Sequence, residues 1–286
     1  MRQRLRHALD TWRKWQVDDL RLAPRVLGRL GGGLSNQSFL VSSGNRQFAL
    51  RLTGDDPGAD LPGLQTEWQA LRLAHEAGLA PAPRYLNEQA GVLVCDYLPP
   101  DPGGAVTPAA LGRLLQRIHQ LPELSAIRAV GERCEQAAWT IRQEQPALWR
   151  ALQPLAARAA PFIAQLETVG PHATCHNDLL RANRIVSGGR VWAIDWEYAA
   201  AGPVWFDLAA VCAGDELDET ARRTLLENYL QTPAATRDWQ RLALFECGYR
   251  LLELLWHLRT HTAPAAASLE QKRERLERCI TFLESH

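Results

Sequence analysis

One stretch constrains this chain more than any other: His176-Asn177-Asp178-Leu179-Leu180-Arg181-Ala182-Asn183, then eleven residues, then Asp195-Trp196-Glu197-Tyr198. The β-prone runs from Asn183 to Val186 and from Val191 to Ile194 flank Ser187-Gly188-Gly189, so the segment reads as a loop followed by a hairpin. A hairpin brings its two ends to one edge, which sets Asn183 beside Asp195. Singly, an Asp or Asn in a loop is a turn former or a helix cap. Together they supply what phosphoryl transfer needs: a carboxylate to orient an acceptor hydroxyl and take its proton, and hard oxygen donors for magnesium. Asp178 is the expected base, and Asn183 and Asp195 are the expected magnesium ligands. His176 reads as a structural hydrogen-bonding residue rather than a base or a ligand.

Upstream, Val26 to Leu30, Phe39 to Val41 and Phe48 to Leu52 read as antiparallel strands, the last two joined at Ser42-Ser43-Gly44-Asn45. Leu64 to Ala77 reads as a helix with Gly78 as its stop. Val92 to Leu98 is a further apolar, β-prone run, ended by Pro99-Pro100-Asp101-Pro102-Gly103-Gly104, the strongest breaker in the chain. Beyond it the pattern is mainly helical, with Thr107 a cap for a helix from Pro108 to Gln120. Two short strands interrupt these helices, around Asn183 to Val186 and Val191 to Ile194. The expectation is an α+β chain of two lobes: residues 1–98 as a small β-rich N-lobe, and residues 99–286 as a larger helical C-lobe.

Charge excludes several partners. Lys+Arg and Asp+Glu number 32 each, so no global field favours nucleic acid or an anionic membrane. No apolar run approaches the length of a membrane span, and the Arg-rich start lacks the apolar core of a secretory signal. That start reads as a surface helix packed on the body rather than one lying on a membrane. The six cysteines form no C-x-x-C pair, which argues for reduced thiols and a soluble cytoplasmic protein.

The pattern H-N-D-x-x-x-x-N followed by I-D-W-E-Y-A resembles the aminoglycoside phosphotransferase and choline kinase superfamily, whose fold is similar to that of protein kinases. The resemblance covers most of the chain. Leu115 to Pro122 is similar to the family's L-x-x-L-H helix, and Pro203 to Ala209 to its P-x-x-x-D-L-A segment, where Asp207 is implied to brace the catalytic loop. Gly33 to Phe39 sits where the family places its phosphate-covering loop, which implies nucleotide contacts from Gly33, Ser35 and Asn36. Arg51 is implied to pair with the ATP phosphates, Glu67 to hold Arg51, and the backbone from Cys95 to Leu98, Asp96 and Leu98 among it, to meet adenine. ATP and Mg2+ are the implied cofactors. Leu180 and Ala182 depart from residues frequent in the family, but neither removes a base or a ligand.

Within that superfamily the chain looks most like the bacterial thiamine kinase and choline kinase branches, through G-L-S-x-x-S-F-L at Gly33, V-x-D-Y-L-P at Val94 and the W-E-Y-A segment. Their acceptors are small cationic alcohols, and a cation calls for aromatic faces and a carboxylate. Trp196, Glu197, Trp205, Glu253 and Trp256 are the candidates, although each tryptophan alone reads as well as core. Three other readings stand beside this one. A protein kinase has too little room between Asp195 and Asp207 for an activation loop. A non-catalytic nucleotide-binding module would be expected to lack the base or a metal ligand. A sugar or aminoglycoside phosphotransferase would use the acidic run Asp215, Glu216, Asp218 and Glu219, which also reads as a solvated helix start.

Overall fold

The computed structural model describes residues 2–31, 36–54, 61–259 and 266–285. In chain order the first elements are α1 (Arg2–Asp10), β1 (Arg25–Leu30), β2 (Asn36–Ser43), β3 (Arg46–Thr53), α2 (Leu64–Glu76), β4 (Pro83–Asn87) and β5 (Val92–Asp96). There follow α3 (Pro108–Ile118), α4 (Val130–Glu144), α5 (Pro146–Ile163), β6 (His172–Cys175), β7 (Arg184–Ser187), β8 (Arg190–Ala193) and β9 (Ala200–Pro203). The chain ends with α6 (Val204–Gly214), α7 (Glu219–Leu230), α8 (Thr236–Arg259) and α9 (Ala266–Glu284). These elements form two compact units, Met1–Val106 with Ala182–Ala199, and Thr107–Arg181 with Ala200–His286. The Pro99 to Gly104 segment falls in the last residues of the first unit's main stretch, which runs to Val106, and the β7–β8 hairpin joins that unit.

The first unit is built on a five-stranded antiparallel sheet, in the order β1-β2-β3-β5-β4. Successive side chains of a strand point to opposite faces. Phe48, Leu50 and Leu52 of β3 therefore share one face with Phe39 and Val41 of β2 and Val92 and Val94 of β5. That face is covered by Ala8 of α1 and by Trp12 and Trp15. Arg51, one position out of phase, points to the other face, toward α2. The stop at Gly78 has a specific form. The Gly78 N–H donates to the His75 carbonyl at 2.8 Å and the Leu79 N–H to the Ala74 carbonyl at 2.7 Å, the two bonds that close a helix C-terminus.

The second unit is helical around a two-stranded antiparallel ribbon of β6 and β9. The Thr107 hydroxyl accepts from the Ala110 N–H at 3.2 Å, so the expected cap of α3 forms, though the helix stops at Ile118. Gly112 lets α3 cross α7 closely, since a Cβ there would stand 2.3 Å from the Leu225 carbonyl oxygen. α6 is buried from Val204 to Ala213, which fixes its first turn, and Asp207 with it, in the core. The expectation of two short strands among these helices is corrected by β6 and β9. Ala200-Ala201-Gly202-Pro203 has no β-branched or aromatic residue to announce a strand, and its partner is only four residues long. Among the described residues no helix is long and apolar enough to cross a membrane.

Candidate active site

In the first unit the chemistry gathers around Arg51. Its Nη1 lies 2.6 Å from Asp195 Oδ1 and 3.6 Å from Glu197 Oε2, and its Nη2 pairs with Glu67. The Asn36 amide donates to Glu197 at 2.6 Å and fixes that carboxylate. Glu67 stands in the first turn of α2 and is 2% exposed, while Arg51 is 8% exposed. Burial disfavours the charge on Arg51, but Glu67, Asp195 and Glu197 outweigh it and raise the guanidinium above its ordinary value. It is a fixed cation. Burial pushes the Glu67 carboxyl up to about 7, against the pull of Arg51. Burial and then Asp195 push Glu197 up as well, against Arg51 and Asn36. The opposite messages of the partners have one cause. The single cation is held by three acids, whereas each acid has only a share of one cation.

The β7–β8 hairpin brings Asp195 to this cluster, with Asn183 just before its other strand's start. The hairpin runs in register from Arg184↔Ala193 to Ser187↔Arg190, and the Ile194 N–H donates to the Asn183 carbonyl at 3.0 Å. Asp195 adopts a left-handed backbone, φ 61°, which Asp tolerates better than most residues and which marks functional turns. The carboxylate oxygens outnumber the one guanidinium among them, and hard oxygen donors of this kind suit a divalent cation. The first unit thus brings together Asn36, Arg51, Glu67, Asp195 and Glu197, with the Asn183 backbone paired to Ile194 one position before Asp195. Gly33 and Ser35 lie outside the described residues. The Asp96 carboxylate is held by Arg84 at 2.8 and 2.6 Å, and the Asp96 and Tyr97 N–H groups are given to the Ala82 and Gln47 carbonyls.

In the second unit Asp207 organises the loop that carries Asp178. Its carboxylate accepts the His176 N–H at 2.8 Å and the Asn177 N–H at 2.6 Å, and His119 Nε2 lies 3.1 Å away. His119 Nδ1 in turn meets the Tyr229 hydroxyl at 2.8 Å. Burial acts to raise the Asp207 carboxyl, but the hydrogen bond and pull of His119, then those of His176, outweigh it and hold the group below its usual value. His119, Cys175 and Asp207 lie close enough to suggest a metal cluster. Both ring nitrogens of His119 and both oxygens of Asp207 are already spent within the protein, so the group is a brace. Asn177 adopts φ 63°, and the Leu180 N–H turns back to the Asp178 carbonyl at 2.8 Å. The Tyr249 phenol is raised well above its ordinary value, first by burial and then by the carboxylates of Glu253, Asp178 and Asp215. Tyr249 is the residue of this region that sequence patterns miss, because a tyrosine in a buried helix carries no motif.

Two expectations for an acceptor pocket change. Trp196 is fully buried with its indole N–H donating to the Ala193 carbonyl at 3.2 Å. Trp205 is 2% exposed, lies against Gly170 and has Arg241 over its ring at 5.8 Å. Both indoles are interior, so neither offers a face to a solute; the size of an indole makes core its default place. Glu253 forms an ion pair with Lys272, and Trp256 stands edge-on to His257 with ring centroids 5.0 Å apart. The acidic run is spent locally. Asp215 accepts the Arg181 N–H at 3.2 Å, Glu216 pairs with Arg275, Asp218 caps α7 through the Ala221 N–H at 2.8 Å, and Glu219 lies 3.3 Å from Arg223.

Comparison with known proteins follows the same line. The family described as "Phosphotransferase enzyme family" matches residues 26–245. The protein LicA of Haemophilus influenzae is 26% identical over 212 residues, 69% of this chain and 61% of LicA. Thiamine kinase of Escherichia coli is 29% identical over 194 residues, 63% of each chain. The match thus spans less than two thirds of the length of these two relatives. The crystal structure of choline kinase LicA from Streptococcus pneumoniae has a TM-score of 0.73 at 23% identity, covering 89% of this chain and 94% of that one. The likeness to it is one of fold, a protein-kinase-like arrangement of a small sheet-bearing part and a larger helical part.

Proposed function

The chain belongs to the phosphotransferase enzyme family, and we propose that it transfers the γ-phosphate of ATP to the hydroxyl of a small cationic alcohol such as thiamine or choline. The observation that carries this reading is the Arg51 cluster: one buried guanidinium facing Glu67, Asp195 and Glu197, beside a hairpin that begins just after Asn183. Asn183 and Asp195 would hold magnesium, which supplies positive charge to the phosphate oxygens. Glu67 keeps Arg51 extended so that its remaining donors meet phosphate. The backbone from Asp96 to Leu98 receives adenine. Asp178 orients the acceptor hydroxyl and accepts its proton as the oxygen bonds to the γ-phosphorus and the bond to the leaving ADP oxygen breaks. Asp207 holds the backbone before Asp178 and so fixes where that carboxylate stands.

The cationic acceptor is supported by the Asp178 carboxylate, whose charge bears on the buried Tyr249, and by the thiamine and choline kinases among the similar proteins. Trp256 is the remaining aromatic candidate beside Glu253. The local pairing of the run from Asp215 to Glu219 leaves little to hold a polycation, which favours a single positive charge. The test is magnesium-dependent ATP consumption by the purified protein with thiamine, choline, ethanolamine, amino sugars or an aminoglycoside added in turn. Strong stimulation by a cationic alcohol is expected, and Asp178→Ala should lower that rate by about 10²- to 10⁴-fold with nucleotide binding retained. Stimulation by the aminoglycoside alone would overturn the acceptor class, and near-normal turnover in Asp178→Ala would overturn the base.

A further inference from the structure

The Pro99 to Gly104 segment is built onto the tip of the β7–β8 hairpin. Asp101 Oδ1 accepts the Gly188 N–H at 2.9 Å, and Oδ2 accepts the Gly189 N–H at 2.8 Å. The Asp101 N–H donates to the Val186 carbonyl at 2.8 Å, and the Asp101 carbonyl accepts the Gly104 N–H at 3.0 Å. Gly188 and Gly189 have φ 58° and 70°, the left-handed pair of a two-residue hairpin turn, and such a turn presents its N–H groups together to an anion. A carboxylate is the side chain that can take both. Pro100 and Pro102 fix φ on either side of Asp101 and so pre-set its direction. Gly104 packs so closely that a Cβ there would stand 2.8 Å from the Val186 Cβ. Along its length the hairpin is pinned again, by Arg190 to the Gly78 carbonyl at 3.0 Å and by the Ala193 N–H to the Leu79 carbonyl at 2.8 Å. At the end opposite the tip stand Asn183 and Asp195.

We infer that Asp101 is a positioning residue for the magnesium ligands. It touches neither Asn183 nor Asp195; it fixes the tip of the two four-residue strands that carry them, and a hairpin so short moves as one lever. The inference rests on the proposed function for its metal and on the hairpin contacts for its geometry. The segment read from sequence as a breaker therefore has a second duty, setting the register of the metal loop. Orienting partners outside a metal's own ligands commonly change its affinity by 10- to 100-fold.

The experiment titrates magnesium into the full-length protein with ADP and follows binding by calorimetry, for the wild type, Asp101→Ala and Asp101→Asn. Amide hydrogen exchange over residues 184–195 is measured alongside. Asp101→Ala should need about tenfold more magnesium for half-maximal nucleotide binding and exchange the Gly188 and Gly189 amides faster, with magnesium-free ADP binding unchanged. Asp101→Asn, which keeps one acceptor oxygen, should recover part of the shift, and it carries the test if the alanine variant does not fold. An unchanged magnesium requirement in a variant whose turn amides exchange faster overturns the inference. A wild type that binds ADP without regard to magnesium overturns the proposed function instead, so the two failures are told apart.

Discussion

One guanidinium between three carboxylates leaves the Arg51 cluster two negative charges in excess when every group is ionised. That imbalance was only partly legible beforehand. A strand Arg and a following helix Glu suggest a pair, and Asn183 with Asp195 suggests a metal edge, but spacing alone does not say that Arg51 also reaches Asp195 or that Asn36 holds Glu197. Those contacts join residues 144 and 161 positions apart, where chain order gives no distance. The tryptophans of the same motif illustrate the converse: Trp196 stands next to a metal-type aspartate in sequence yet points into the interior. The residue-scale prediction follows from the charge count. Arg51→Met removes the guanidinium from the cluster and leaves the buried Glu67 carboxylate without its partner, at a cost of about 3–5 kcal/mol. Magnesium should restore part of that stability, because it supplies charge of the missing sign. Thermal unfolding with and without magnesium chloride measures both effects, and a variant equally stable in either condition would rule out the cluster as a cation site.

Elements were legible where periodicity or capping marked them. β2 and β3 show apolar alternation around Gly44-Asn45, and α3 begins at Thr107-Pro108. The β6–β9 ribbon was not, since four residues of alanine, glycine and proline carry no alternation, and only pairing defines them as a strand. Its consequence is to bring the loop after Cys175 down onto the start of α6, where Asp207 takes two backbone N–H groups. A carboxyl whose folded pKa lies below its unfolded value stabilises the fold above the unfolded value and loses that contribution as pH falls. For Asp207 the unfolded value is about 4. Asp207→Asn should therefore cost about 2–4 kcal/mol near neutrality, the range for a buried acceptor of charge-assisted bonds. The gap to wild type should stay constant down to about pH 5 and close progressively below about pH 4. Urea unfolding across that range tests it, and a gap independent of pH would mean that the carboxylate charge is not what holds the loop.

Over the whole molecule, the balance of 32 basic and 32 acidic residues says little about where the basic ones act. The Arg-rich start of the chain is a case in point, because a basic amphipathic helix can serve a membrane surface or a protein core. Here the apolar side is already taken. Ala8, Leu5 and Leu9 of α1 pack into the sheet core together with Trp12 and Trp15 just beyond the helix, and the Trp15 ring meets Phe48 edge-on at 5.3 Å. Arg4 reaches the Ala90 carbonyl at 3.0 Å and the Thr53 carbonyl at 2.9 Å, so one charge of the helix is spent on backbone rather than on solvent. Composition could pose this choice but not decide it, since the covering face of the sheet is assembled from β2, β3 and β5, which are distant from α1 in sequence. If α1 and the segment that follows it to Trp15 are one core element, Trp15→Ala should cost about 3–5 kcal/mol, the range for removing a large buried aromatic. The intact protein should also remain in the supernatant when sedimented with vesicles rich in anionic lipid, because lifting the helix onto a bilayer would strip the sheet of its cover. Co-sedimentation of the folded wild type, or a Trp15→Ala variant as stable as the parent, would return the N-terminal segment to the membrane reading. Loss of stability without vesicle binding leaves it as the lid of the sheet's core.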